Sequence, residues 1–330
     1  MSIIKRDLQV MSELDKDARI SLTKIAKRVN LSKQAVSCRI DSLIKKDIIQ
    51  MFYTIVNTSS LGYIPFYLFL TLRNLTIDKE NEIRTYLKEN QHVTTFNFCD
   101  GVYDLVIGLI AKDNSSLYKE LTKFYSDFSL QIRSKRILNI VDVKSYPRDY
   151  LLEKKRSLIP LNRGFHNEII KEVKLDKINL SILSLLTKNA RLSSTEISRK
   201  LNISATSVIR RIKSMQKEKI INGYSIHLAE KFFPTHIVML EFNHISSNIE
   251  KKILSYAANN NKITYIAKTF GECDFVLNIE TRNFQEYRTL IIDIKSNFSK
   301  HLYGLIPLLI LDTHKLNFYP IHQTKLTKLK

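Results

Sequence analysis

The stretch ARISLTKIAKRVNLSKQAVSCRIDSLIKKDII, starting at Ala18, returns 172 positions later as ARLSSTEISRKLNISATSVIRRIKSMQKEKII, starting at Ala190. Ala18, Arg19, Ser21, Ile25, Asn30, Ser32, Val36, Arg39, Ile40, Ile48 and Ile49 recur unchanged as Ala190, Arg191, Ser193, Ile197, Asn202, Ser204, Val208, Arg211, Ile212, Ile220 and Ile221. At a shift of 170, Gly101 and Asp104 fall on Gly271 and Asp274. The 330 residues therefore hold two copies of a unit of about 145 residues, and whatever that unit folds into must be built twice.

The front of each copy has helical periodicity. Leu8, Met11 and Leu14 share one helix face; Leu22, Ile25, Ala26 and Val29 mark a second short helix; Val36, Ile40, Leu43 and Ile44 mark a third. Between the second and third stands Asn30-Leu31-Ser32. Asn tolerates the left-handed conformation that ends a helix, and Ser32 is a good N-cap for the next one. A short helix, a tight turn, an N-cap and a second helix make a helix-turn-helix. Asn202-Ile203-Ser204 repeats it before Val208, Ile212 and Met215.

The back of each copy changes period. Residues 65–73, 93–99, 102–110 and 132–143 read as strands, and 78–90 and 115–128 as amphipathic helices, which gives the order βαββαβ. The second copy repeats that order over 236–313. Such a unit forms an antiparallel sheet with both helices on one face, so its other face needs a partner, and the second copy supplies one. The expected class is α+β: (winged) helix-turn-helix heads at 1–60 and 174–230, ferredoxin-like βαββαβ domains at 61–145 and 231–320, a basic linker at 146–173 and a basic tail at 321–330.

The net charge of +20 is unevenly placed. The heads carry +5 over residues 1–60 and +6 over 172–230, whereas the sheet regions 61–143 and 231–313 carry 0 and +1. Positive heads beside near-neutral sheets point to a phosphate-bearing partner, double-stranded DNA, met by the heads alone. The longest apolar run, Leu305 to Leu311, is far short of the ~20 residues that span a bilayer, and Met1 to Arg6 begins with charge, so neither membrane insertion nor secretion is expected. Three cysteines without a CxxC pair predict a reducing compartment, the cytoplasm, and no structural zinc. No phosphate-cradling glycine motif occurs, so no nucleotide cofactor is expected.

In a helix-turn-helix the N-terminal residues of the second helix reach base edges while surrounding basic groups hold phosphates. In copy one these are Lys33, Gln34, Ser37 and Cys38; in copy two the matching residues are Ala205, Thr206, Ile209 and Arg210, with Ser207 between them. Gln34 suits adenine, Arg210 suits guanine, and Ala205 and Thr206 offer apolar contact to a thymine methyl, so the two heads should read different half-sites. Arg39 and Arg211, and Arg19 and Arg191 ahead of the second helix, are candidates either for phosphate contact or for bracing the head.

With these elements in place, the chain resembles the Lrp/AsnC (feast/famine) family of transcriptional regulators. DARISLTKIAKRVNLSKQAVSCRIDSLIKKDIIQ and NARLSSTEISRKLNISATSVIRRIKSMQKEKIINGY match its head, and DGVYDLVIGL and GECDFVLNI match its Gly-x-[Tyr/Phe]-Asp turn. The resemblance implies a chain that pairs through its sheets as an intramolecular pseudo-dimer, assembles into homo-oligomers, and binds an amino acid or similar effector near that turn. It makes Gly101, Tyr103, Asp104, Gly271 and Asp274 effector candidates, although copy two carries Cys273 where the aromatic is usual. Gly and Asp also have purely architectural uses, a turn with positive φ and a cap on a neighbouring amide.

Two other readings compete with a sequence-specific, nucleoid-associated regulator. Basic heads on an oligomer suit a non-specific architectural DNA-binding protein. Siroheme decarboxylases resemble the same family, but this chain keeps Gly-x-x-Asp twice, has no Trp, and scatters its eight histidines without metal-ligand spacing. His236 and His244, eight apart on a predicted strand, are expected on one face as satisfied sheet histidines. Neither a catalytic residue nor a metal site is expected.

Overall fold

A computed structural model describes residues 3–153, 165–166 and 172–319. In chain order, head one comprises α1 (Lys5–Lys16), α2 (Leu22–Val29), α3 (Lys33–Lys45) and β1 (Ile49–Val56); the first sheet domain follows as β2 (Ile64–Leu72), α4 (Ile77–Glu89), β3 (Val93–Gly101), β4 (Leu105–Ala111), α5 (Asn114–Phe128) and β5 (Ile132–Ser145). After the two-residue β6 (Phe165–His166), head two comprises α6 (Lys177–Lys188), α7 (Ser194–Leu201), α8 (Ala205–Lys217) and β7 (Ile221–Leu228). The second sheet domain is β8 (Thr235–Phe242), α9 (Ser247–Asn259), β9 (Ile263–Phe270), β10 (Phe275–Glu280), α10 (Phe284–Phe298) and β11 (Leu302–Leu316).

The four strands of each copy pair antiparallel in the orders β5-β2-β4-β3 and β11-β8-β10-β9. The copies then join twice, β3 to β11 and β5 to β9, so eight strands from one chain close into a ring without a free edge. Inside it, Phe69, Val106 and Leu138 from copy one meet Ile237, Met239, Val276 and Leu308 from copy two. The outer faces are covered by the helices: Ile83, Leu87 and Phe124 lie over Phe96 and Leu105, and Ile253, Ile294 and Phe298 lie over Leu240 and Phe275. Each such side chain contributes roughly 1.5–3 kcal/mol when fully buried.

Both junctions depend on glycine. Gly101, at φ 144°, pairs with Leu308, and a Cβ there would stand 2.9 Å from the Leu308 side chain and 2.9 Å from the Pro307 carbonyl oxygen. Gly271, at φ 136°, meets Leu138 in the same way, 3.0 Å from its side chain. The repeated glycine therefore lets one copy approach the other where their strands meet.

β1 and β7 form a separate antiparallel ribbon that carries both heads. The heads cross over it: the Ala18 amide donates to the Tyr224 carbonyl on β7, and the Ala190 amide to the Phe52 carbonyl on β1. One continuous core, from Val10, Met11 and Leu14 to Ile182, Leu186 and Met215, serves both heads.

The charge-based expectation of a linker from 146 onward is corrected for its first residues. Tyr150 and Leu151 are 2% and 1% exposed, and Arg148 is buried with them. Arg148 Nη1 lies 2.7 Å from Asp15 Oδ1, and its Nε and Nη2 lie 2.7 and 2.9 Å from the two Glu280 oxygens. Charge counting could not separate this internal cation from solvated ones. The rest of the linker, apart from 165–166 and 172–173, and the whole basic tail lie outside the described residues.

His236 and His244 do not share a strand face, because β8 ends at Phe242 and His244 is exposed beyond it. His236 is buried and stacked on Tyr287 at 3.7 Å between centroids, and burial pushes its pKa down to about 4 from 6.5. The unfolded chain takes up this proton near 6.5 while the folded chain resists until about 4, so the linked stability is complete above 6.5 and declines as pH falls between the two. Urea unfolding at pH 7 and pH 4.5 should therefore show a smaller loss for His236→Phe than for the wild type, by about 2 kcal/mol. Equal losses would show that His236 is protonated in the fold.

Candidate nucleic-acid interface

The Ser32 side chain accepts from the Ala35 amide and Ser204 from the Ser207 amide, while Asn30 and Asn202, both at φ 53°, end the preceding helices. Val36, Ile40 and Leu43 bury one face of α3, and Val208, Ile212 and Met215 bury the same face of α8. This fixes which residues point outward. Lys33, Gln34 and Cys38 are exposed on α3, with Ser37 half-buried; Thr206, Ile209 and Arg210 are exposed on α8, with Ala205 and Ser207 half-buried. The two faces are unlike at matching positions.

Of the two uses open to the four paired arginines, phosphate contact or bracing, the structure shows bracing contacts for each. Arg19 Nη1 donates to the carbonyls of Ala190 and Leu192, the latter at 2.8 Å, and its guanidinium lies over the Tyr224 ring at 5.3 Å. Arg191 Nη1 answers by donating to the Ala18 carbonyl at 2.7 Å and lies over Phe52 at 5.5 Å. Burial, with the Arg19 charge nearby, pulls Arg191 below the ordinary arginine value. Within each head Arg39 pairs with Asp7 at 2.8 Å, and Arg211 with Asp176 at 2.6 Å. Arg19 and Arg191 thus stitch the heads to each other, while Arg39 and Arg211 brace each head internally.

Other cations on the heads are exposed to solvent. Lys24, Lys27, Lys45 and Lys46 in head one, and Arg199, Lys200, Lys213 and Lys217 in head two, are exposed on the same helices. Their signal in the sequence was their polar position opposite the buried stripe.

The Gly-x-x-Asp turns are likewise architectural here. Asp104 Oδ2 accepts from the Leu72 amide at 2.6 Å, and Asp274 Oδ2 from the Phe242 amide at 2.7 Å, each capping the first strand of its own sheet. Tyr103 is 6% exposed and packs on Phe69 at 5.4 Å in the barrel core, where Cys273 is also buried. Gly101 and Gly271 serve the strand junctions. In this structure the five effector candidates serve as two caps, two close-approach glycines and a core ring.

Comparison with known proteins agrees with the heads. Residues 5–50 match the family described as winged helix-turn-helix DNA-binding, and residues 175–216 the AsnC-type helix-turn-helix domain. The HTH-type transcriptional regulator Ptr1 of Methanocaldococcus jannaschii is 32% identical over 102 residues, covering 31% of this chain and 69% of that protein. The HTH-type transcriptional regulator LrpB of Bacillus subtilis is 27% identical over 131 residues, covering 40% of this chain and 88% of that protein. Among solved structures, the siroheme decarboxylase NirDL covers 95% of this chain and 94% of its own, with a TM-score of 0.58 at 12% identity. That last likeness is one of fold.

Proposed function

The chain belongs to the Lrp/AsnC family of helix-turn-helix transcriptional regulators, and we propose that it is a sequence-specific double-stranded DNA-binding regulator whose two heads read unlike half-sites. The observation that carries the reading is the pair of capped second helices, α3 and α8, held on one ribbon with different exposed faces. Gln34 and Arg210 are the side chains shaped for bidentate base contacts, to adenine and guanine respectively. Selected sites should be imperfect palindromes with half-site centres about 10–10.5 bp, or a multiple, apart.

Gln34→Ala and Arg210→Ala should each cost roughly 1–3 kcal/mol on the selected site and less on random DNA, measured at one stated salt. Equal losses on both substrates would instead support a non-specific architectural role. The NirDL likeness supports the fold of the tandem chain and, with regulators as the curated relatives, the reading remains non-enzymatic. Response to a small-molecule effector, further assembly of such chains, and residence on the nucleoid in the cytoplasm complete the proposal. No helix among the described residues is long and apolar enough to cross a membrane.

A further inference from the structure

A partly open cavity of about 190 Å³ lies between the β1–β7 ribbon and the adjoining end of the barrel. Head one reaches it through Asp15 of α1, the ribbon through Tyr53 and His227, and the barrel through Tyr67 and Tyr265. Its charged groups divide into two sets. On one side Asp15 and Glu280 close around Arg148, whose Nε, Nη1 and Nη2 all have carboxylate partners; Nη1 also donates to the Ile226 carbonyl. Four of its five N–H groups are engaged, three of them by carboxylates.

On the other side stands Glu230, 8% exposed. Its Oε1 accepts from the Thr313 hydroxyl at 2.6 Å and lies 3.3 Å from His227 Nε2, a buried nitrogen that makes no hydrogen bond among the described residues. Burial raises the Glu230 carboxyl, but His227 and Thr313 outweigh it and hold the group below the usual carboxylate range. Among the described residues the space is lined by three carboxylates, one guanidinium shared by two of them, and His227 beside the third, with tyrosine rings as its apolar walls.

We propose that this cavity binds a small organic amine in its ammonium form, with Glu230 as counter-ion and Tyr53, Tyr67 and Tyr265 facing its hydrocarbon body. Opposite charge in a water-poor site and aromatic faces both favour a cation. A free amino acid is disfavoured, because its carboxylate would meet Glu230 and Glu280 while the Arg148 charge is already shared between Asp15 and Glu280. Asp15 ties the cavity to α1 and the ribbon carries both heads, so occupancy should alter DNA affinity; that part rests on the regulator reading above.

Calorimetry on the full chain without DNA tests the site, using 2-phenylethylamine and isoamylamine against phenylalanine, leucine and 3-phenylpropionate. The expected result is one amine per chain, with the amino acids and the acid at least tenfold weaker, and at least tenfold weaker amine binding for Glu230→Gln. Absence of amine binding, or equal binding of amine and acid by the wild type, overturns the proposal whether or not the variant folds. Amine binding unchanged in a folded Glu230→Gln also overturns it. A DNA titration with saturating 2-phenylethylamine then reads the coupling as an affinity change of at least threefold. Failure to bind DNA at all would sink the regulator reading and leave the calorimetric result standing.

Discussion

Arg148→Met lowers the free energy of unfolding by about 3–5 kcal/mol in urea denaturation, because it leaves Asp15 and Glu280 buried without their cation. The cost arises from stranded charges more than from lost attraction. Taking two carboxylates out of water is repaid here by one guanidinium with three hydrogen bonds to them, supported by Ser225 on Asp15 and by Tyr150 and Thr264 on Glu280. Replacing Arg148, Asp15 and Glu280 together with apolar residues of similar volume should recover most of the loss, since buried ion clusters contribute little net stability over a well-packed apolar substitute. A cost below about 1 kcal/mol for Arg148→Met alone would mean that water reaches the cluster.

DNA affinity falls by a factor of about 10³–10⁵ between 50 and 200 mM salt if the two heads together neutralise six to ten phosphates. Eight exposed cations on the two heads, from Lys24 to Lys217, have the right placement, whereas the sheet regions are close to neutral. Arg19→Ala should leave this slope unchanged, since its guanidinium is engaged by the other head's carbonyls. A slope equivalent to fewer than two phosphates in a filter-binding or anisotropy titration would show that charge is not how the heads hold DNA.

The sequence disclosed what is local. Asn30 and Ser32 act on residues within a few positions, so the helix ends could be placed from composition alone, and the alternation of periods set the βαββαβ order. What distance decides was not legible. Arg19 meets carbonyls 171 and 173 residues away, and Arg148 meets carboxylates 133 and 132 away, so Arg19 stayed open between phosphate contact and bracing and Arg148 was counted into a basic linker. Asp104 admitted two chemical uses, and the capping bond that shows one of them reaches an amide 32 residues distant. Cys273 at the matching turn is buried in the barrel interior, where a smaller side chain fills the place of the Tyr103 ring.

The ring of eight strands closed within one chain has a consequence for dosage. A regulator built from two separate subunits loses its paired heads on dilution, so occupancy of its site rises with the square of concentration when subunits are scarce. Here both heads arrive together at any concentration, held by peptide bonds as well as by β3–β11 and β5–β9. Pairing of the two heads is therefore independent of copy number, and only the assembly of further chains depends on concentration.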